Sequence, residues 1–173
     1  MDYDFYYDVP TRLTSNIEID VFNNEGKVVY SLQKYHKNVL QKLLAFHFTT
    51  WFINVSLKDM EETILENAEV IGVAKRKWLL NGLSRLKNVT LTDTIKFKMT
   101  ERKLEFHFNG RHYVISKQTG TQQTTLYEEA EPIAIMEESS KFPPRTNGIS
   151  FVKESRLPET SALCMHHLFE IGV

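Results

Sequence analysis

Residues 104–115 have the sequence LEFHFNGRHYVI, which predicts a β-hairpin with two chemically different sides. The central Asn-Gly pair favours a two-residue type I′ turn, because both central residues of that turn need positive φ. This turn fixes the register: Phe106 faces Tyr113 and His107 faces His112, and facing residues share one side of the sheet. One side of the hairpin is therefore apolar, whereas the other carries the two histidines.

The residues before this hairpin are predicted to extend it into a three-stranded antiparallel meander over 94–117. A second two-residue turn at 101–102 would place Met99 opposite Leu104 and keep the apolar side chains of all three strands together. The other side of the meander would then be mostly cationic, and it carries Lys96, Lys98, His107 and His112. This surface is the first candidate binding site in the sequence.

Strand signals dominate the remainder of the chain. Alternating or short apolar runs between turn residues predict strands in NIEIDVF (16–22), KVVYSLQ (27–33), WFINVSL (51–57) and AEVIGVA (68–74), and at 88–92, 124–129, 132–137 and 148–153. Many short strands with turn signals between them are typical of an all-β sandwich or barrel.

The segment NVLQKLLAFHF (38–48) breaks the two-residue period and predicts a short amphipathic helix. One side of that helix is formed by Val39, Leu40, Leu43, Phe46 and His47. The polar side carries Asn38, Gln41 and Lys42.

The terminal segment LPETSALCMHHLFEIGV (157–173) predicts a second helix. Pro158 suits a first helical turn, Glu159 favours the positive N-terminal end of the helix, and Gly172 suits a C-terminal stop. Apolar side chains surround most of this helix, which is usual for a helix that is buried. The sequence thus predicts a closed or nearly closed β-structure with a buried terminal helix.

Composition indicates an ordinary globular chain. Its 173 residues, 42% hydrophobic and 25% charged, suffice for a single domain over 1–173. The single cysteine, Cys164, excludes an intramolecular disulfide and suits a reducing compartment. The N-terminal segment lacks the basic and apolar regions of a signal peptide, and no apolar run reaches the ~20 residues that span a bilayer. We therefore expect a cytoplasmic protein without a transmembrane segment.

Charge is distributed unevenly along the chain. Residues 1–26 contain six acidic residues and one arginine, a balance of −5, whereas residues 75–103 contain nine basic and two acidic residues, a balance of +7. Such asymmetry indicates an anionic partner for the middle of the chain. The alternative interpretation is a solvated basic face that is paired with acidic neighbours.

Several segments together resemble the tubby C-terminal-like superfamily, which includes the phospholipid scramblases and the plant LURP-one-related proteins. The matching segments are IDVFNNEGKVVYSL, VIGVAKRKW, LEFHFNGRHYVI, PIAIMEES and SALCMHHLFEIGV, in an order that covers about residues 14–173. The resemblance implies a tubby-like antiparallel barrel of about twelve strands around a hydrophobic C-terminal helix. Two features depart from it: the helix at 38–48 is an addition, and the terminal helix carries Glu170 and two histidines.

Catalytic and metal motifs are not found in the sequence. It contains no phosphate loop, dinucleotide fingerprint, H-E-x-x-H or G-x-S-x-G motif. Cys164 lies in an apolar helix, where a thiol is normally inert, and a metal site formed by Cys164, His166 and His167 is less consistent with the pattern than a buried thiol. We therefore predict a protein that is not an enzyme and has neither a cofactor nor a bound metal.

Two binding hypotheses remain. In the first, a basic face binds anionic, phosphoinositide-like headgroups; the resemblance implies this, since tubby proteins bind phosphoinositides through a basic pocket. The residues predicted for this face are Lys75, Arg76, Lys77, Arg85, Lys87, Lys96 and Lys98, with His107 and His112. Trp78, Leu79 and Leu80 either insert beside these charges or belong to the core.

In the second hypothesis the chain is a cytoplasmic protein-interaction scaffold without a small-molecule ligand. A nucleic-acid partner is disfavoured, because the pI is about 6.6 and the aromatic residues mostly face inward in the predicted strands. The lipid hypothesis places the protein at the inner membrane surface as a peripheral protein, and the scaffold hypothesis requires no membrane.

Overall fold

The computed structural model describes residues 3–9, 16–48, 51–72, 75–83, 86–94, 100–141 and 145–172. In these ranges twelve strands and two helices are formed. They are β1 Phe5–Val9, β2 Glu18–Asn23, β3 Val28–Tyr35, α1 Val39–His47, β4 Asn54–Asp59, β5 Ile64–Gly72, β6 Lys77–Gly82, β7 Val89–Asp93, β8 Glu101–Phe108, β9 Arg111–Gln118, β10 Gln123–Glu128, β11 Glu131–Glu138, β12 Arg145–Phe151 and α2 Glu159–Gly172.

The strands form one closed antiparallel barrel in which each strand pairs with its neighbours in the chain. Closure is made by β1 and β12, where Tyr7 is opposite Asn147. Helix α1 connects β3 to β4 on the outside, and α2 follows β12. The predicted fold class, a tubby-like barrel of about twelve strands with a C-terminal helix and a short additional helix, is confirmed.

The hairpin of β8 and β9 has the predicted register, with Phe106 opposite Tyr113 and His107 opposite His112. Its turn residues, Asn109 and Gly110, have φ of 50° and 75°. Both values are positive, as a type I′ turn requires. The local chemistry of the turn therefore determined the pairing along the whole hairpin.

The predicted turn at 101–102 is wrong. Glu101 and Arg102 belong to β8 and pair with Gln118 and Lys117 of β9. The strand on the other side of β8 is β7, in which Asp93 is opposite Leu104. The alternating pattern determines only which residues share a side, so a shift by an even number of residues fits it equally well. Of the strand predicted at 94–100, residues 95–99 lie outside the described residues.

Two strands were not predicted, β1 and β6. Acidic residues interrupt the apolar pattern around β1, so the sequence did not indicate a strand there. Its inward side chains Tyr7 and Val9 are buried. The basic run before β6 concealed the start of that strand, whose Trp78 and Leu80 are 1% and 0% exposed. Trp78 and Leu80 therefore belong to the core, and the alternative that they insert into a membrane is wrong. Strand β4 begins at Asn54, three residues later than predicted.

Helix α2 fills the barrel. Every residue from Ser161 to Glu170 is buried, and the apolar ones contact the inward side chains of the strands. Its first turn is held by Glu66 of β5, whose carboxylate accepts hydrogen bonds from Ser161 Oγ at 2.8 Å and Thr160 Oγ1 at 3.0 Å. Gly82 lies against Glu66, where a Cβ atom would be 2.2 Å from the carboxylate. A larger residue at position 82 would displace this contact.

Candidate functional site

The barrel has two ends with different contents. At one end lie α1, the connection between β5 and β6, and the last turn of α2; we call it the α1 end. At the other end lie the 109–110 turn, the connection between β2 and β3 and the connection between β6 and β7; we call it the turn end. This division follows from the antiparallel strand order, since consecutive connections alternate between the two ends.

The structure spreads the described residues of the predicted basic face along the height of the barrel. Lys75, Arg76 and Lys77 lie at the α1 end, whereas Lys87, His107 and His112 lie towards the turn end. The cause is topological: residues before and after a strand occupy opposite ends of the barrel, so proximity in sequence does not give a shared surface. Arg85, Lys96 and Lys98 lie outside the described residues.

Arg76 is partly committed to the fold. Its Nη1 atom donates to the Gly172 carbonyl at 3.1 Å and lies 3.9 Å from the Asp93 carboxylate. Arg102 makes a second contact of this kind, because it donates to the Phe169 carbonyl and its guanidinium lies 4.7 Å from the centre of the Phe169 ring. Two arginines thus compensate the negative C-terminal end of α2.

Lys75 and Lys77 remain available at the α1 end. Lys75 is exposed and Lys77 is half-buried, and neither forms an ion pair with a residue in the described ranges. Lys42, on α1, is also exposed without such a pair. By contrast, Lys37 is 2.6 Å from Glu69, and this contact neutralises its charge.

The two histidines of the hairpin are neighbours on the outer surface, as predicted. The centres of their rings are 4.8 Å apart. His112 Nε2 lies 3.8 Å from Glu105 Oε2. In the sheet, His107 of β8 is two strands away from Lys77 of β6.

Helix α1 is present as predicted, but its orientation was not foreseen. Its apolar side faces solvent: Val39, Leu40 and Leu43 are 73%, 64% and 64% exposed. An amphipathic helix on a barrel normally turns its apolar side inward, and a contiguous exposed apolar patch marks an interaction site. One sequence signal could have drawn attention to this region: residues 27–58 contain five lysines and two histidines but no acidic residue.

A second cluster of charges lies inside the barrel at the α1 end. This interior ion cluster consists of Lys117, Glu138, Arg145 and Glu170. Lys117 Nζ is 2.9 Å from Glu138 and 3.3 Å from Glu170, and Arg145 is 3.1 Å and 3.5 Å from the same two carboxylates. All four side chains are at most 10% exposed, so the two acids and two bases meet away from solvent.

The pKa values of the two carboxyl groups in this cluster are shifted in opposite directions from the ordinary value of a glutamate. Burial raises the pKa of Glu138, and the hydrogen bond that it shares with Glu170 raises it further. Burial also acts to raise the pKa of Glu170, but the hydrogen bond with Glu138 and the positive charges nearby outweigh burial and lower it to about 2. Glu170 is therefore the carboxylate that keeps its negative charge, which stabilises the end of α2 inside the barrel.

The thiol and histidines of α2 are structural groups. Burial raises the pKa of Cys164, which keeps its thiol protonated and unreactive. Burial lowers the pKa of His166 to about 4 and that of His167 to about 3, so both rings are neutral near pH 7. His166 Nδ1 lies 3.1 Å from the Tyr7 hydroxyl. Within the described part of the chain, no three His, Cys, Asp or Glu side chains converge as they would around a metal ion.

Comparison with known proteins gives one match. The family model described as "Tubby C-terminal like domain" matches residues 5–173, which is nearly the entire chain. No curated protein and no solved structure matches the chain significantly. Among the described residues, neither helix has the length and apolar character needed to cross a bilayer.

Proposed function

The chain belongs to the Tubby C-terminal-like family, and on this premise we propose that it is a binding module for anionic phospholipid headgroups. The family is compatible with lipid and phosphoinositide binding and is generally non-enzymatic. We assign the binding surface to the α1 end of the barrel. The site consists of Lys75 and Lys77, joined by Lys42, and we retain Lys96 and Lys98 in the proposal from the sequence alone.

The observation that carries this proposal is the presence of lysines at the α1 end that are accessible to solvent and form no ion pair with a described residue. The buried carboxylates Glu138 and Glu170 are engaged by Lys117 and Arg145, so they do not neutralise these outer lysines. Each Lys near an anionic membrane contributes about 1 kcal/mol, so three of them give roughly 3 kcal/mol. Attraction of this size is weak by itself and is screened by salt over ~8–10 Å.

Co-sedimentation with vesicles tests the proposal. The vesicles contain phosphatidylcholine alone or with added phosphatidylserine or phosphatidylinositol bisphosphate, and binding is measured at low and high salt. We expect Lys75→Glu/Lys77→Glu to weaken binding to the anionic vesicles by about 30-fold, the equivalent of ~2 kcal/mol.

The matched control is Lys27→Glu/Lys87→Glu, which changes net charge equally but at the turn end, where both lysines are exposed. Equal losses in the two variants would mean that only net charge matters and would overturn the site. Absence of binding by the parent to any anionic vesicle at low salt would overturn the lipid function and favour the protein-interaction scaffold.

A further inference from the structure

The side of α1 that faces the barrel carries Gln41, Leu44 and Ala45, which are half-buried, whereas Val39, Leu40 and Leu43 point away from it. Gln41 Oε1 accepts hydrogen bonds from the Lys37 backbone N–H at 2.8 Å and from Asn54 Nδ2 at 3.1 Å. Asn54 Oδ1 in turn accepts from the Val70 N–H at 2.9 Å, which ties the helix to β4 and β5. The two half-buried hydrogen bonds of Asn54 therefore help to fix the outward direction of Val39, Leu40 and Leu43.

The N-terminus of α1 is also capped. Asn38 Oδ1 accepts from the Gln41 N–H at 2.8 Å, and the backbone of Asn38 is extended as an N-cap residue should be. The cap and the packing of half-buried Leu44 and Ala45 hold the helix in this orientation. Leu40 and Leu43 are consequently presented on a preformed surface.

Two exposed aromatic residues follow α1 directly in the chain. The rings of Phe48 and Trp51 stack with their centres 4.1 Å apart and an angle of 16° between the planes. They are 41% and 44% exposed. Tryptophan side chains concentrate at the boundary between lipid headgroups and acyl chains, because the indole has both an apolar body and a polar N–H.

The described charged side chains near the apolar surface are mostly cations. Lys42 is on α1 itself, and Lys37, just before the helix, is paired with Glu69. The connection that carries Lys75 and Lys77 is two strands away, about 10 Å at normal strand spacing. An apolar surface with basic residues along its border is complementary to an anionic bilayer, where acyl chains lie beneath negative headgroups.

We propose that α1, together with Phe48 and Trp51, inserts into the interface of an anionic lipid bilayer and anchors the barrel there. The inference rests on the proposed function, since the lysines of the α1 end would bring this surface to the membrane. It adds that the ligand is the bilayer itself: a free headgroup offers nothing that Leu40 and Leu43 could contact.

Fluorescence quenching tests insertion directly, because the chain contains two tryptophans in opposite environments. Trp78 is 1% exposed and its indole N–H donates to the Ile53 carbonyl at 2.9 Å, so it is shielded from lipid. Quenching by nitroxide-labelled lipids therefore reports on Trp51. With vesicles of phosphatidylcholine and phosphatidylserine, we expect strong quenching by a nitroxide at a shallow acyl position and weaker quenching by a deep one.

A pair of matched variants completes the experiment. Leu40→Asp/Leu43→Asp removes two leucines from α1, and Met60→Asp/Leu83→Asp removes two side chains of nearly equal exposure, 63% and 65%, at the turn end. We expect the α1 variant to bind these vesicles about 100-fold more weakly and the control to bind like the parent. Because all four side chains are exposed, both variants should retain the parent's melting temperature.

The outcomes separate insertion from headgroup docking. Salt-sensitive binding without Trp51 quenching, and with the α1 variant binding like the parent, would overturn insertion and leave the proposed function intact. Equal quenching by neutral and anionic vesicles would support insertion and overturn docking on anionic headgroups. If no vesicle binds and the parent self-associates in a way that the α1 variant does not, a second copy covers the surface and both proposals fail.

Discussion

The two helices of this protein have opposite distributions of polarity. Helix α2 lies inside the barrel and buries Glu170 and two histidines, whereas α1 lies outside and exposes Val39, Leu40 and Leu43. The difference shows that burial follows the partners available at a position and not the average polarity of the helix. The strands supply Lys117 and Arg145 to Glu170, whereas Leu40 and Leu43 of α1 stay 64% exposed.

Removal of α2 is expected to have the largest effect, because it empties the barrel. Burial of one Leu or Phe side chain contributes roughly 1.5–3 kcal/mol. Leu163, Met165, Leu168 and Phe169 are all 0% exposed, and together they contribute roughly 6–12 kcal/mol, similar to the ~5–15 kcal/mol of a typical domain. We expect a chain truncated at Pro158 to show no cooperative thermal transition by circular dichroism. A truncated chain that melts near the parent temperature would show that α2 is peripheral.

Acidification is expected to have the second largest effect, through the histidines of α2. Their pKa values in the folded state, about 4 and about 3, lie below the ordinary 6.5, so only the unfolded chain is protonated between these limits. Stability is therefore complete above about pH 6.5 and is lost as the pH falls towards the folded values. Protonation of both histidines in the unfolded chain lowers the free energy of unfolding by about 5 kcal/mol between about pH 6 and pH 4.

Urea unfolding at several pH values measures this effect, and a variant isolates it from the carboxyl groups. His167→Leu removes one titrating ring, so its slope of unfolding free energy against pH should be smaller by about 1.4 kcal/mol per pH unit. Identical slopes for parent and variant would contradict a neutral, buried His167.

Glu170→Gln should destabilise the fold by about 3 kcal/mol, because it leaves Lys117 and Arg145 buried with one carboxylate fewer. The control is Glu131→Gln, which breaks the exposed pair with Lys153. We expect no measurable shift of its unfolding midpoint, since exposed ion pairs are well solvated. Equal midpoints for the two variants would mean that the interior ion cluster does not stabilise α2.

The smallest effect is expected for Leu40→Ala on α1, which should change the unfolding free energy by less than about 0.5 kcal/mol. The same substitution in α2, Leu163→Ala, should cost about 2–5 kcal/mol, because that side chain is 0% exposed. Chemical unfolding of both variants measures the difference. A large loss for Leu40→Ala would show that α1 packs its apolar side against the protein.

The sequence predicted best where local chemistry determines structure. The Asn-Gly turn fixed the pairing of 104–115, and the all-round apolar pattern of α2 predicted its burial. The alternating pattern shows only which residues share a side of a strand, not which strands pair. For this reason the strand predicted to pair with β8 was wrong. The same alternation contained one further signal. Lys117 follows Tyr113 and Ile115 on the inward side of β9, which indicates that its charge needs a buried partner.

The candidate site was harder to predict than the fold. Periodicity showed which residues of α1 share a side, but not the direction of that side, which depends on Gln41 contacting Asn54 of β4. Similarly, the local charge balance grouped Lys75 with Lys87, although the strand between them separates the two by the height of the barrel. Both errors concern long-range placement, which composition and spacing do not encode.

The closure of the barrel around α2 also constrains the order of folding. A complete ring of strands cannot be threaded by a helix, and α2 follows all twelve described strands in the chain. The β1–β12 seam, where Tyr7 and Asn147 are 140 positions apart, must therefore close only after α2 has docked. Contacts so distant in sequence form slowly, and until they form β1 and β12 have unpaired edges. During synthesis, the nascent chain is thus most vulnerable to aggregation just before α2 arrives.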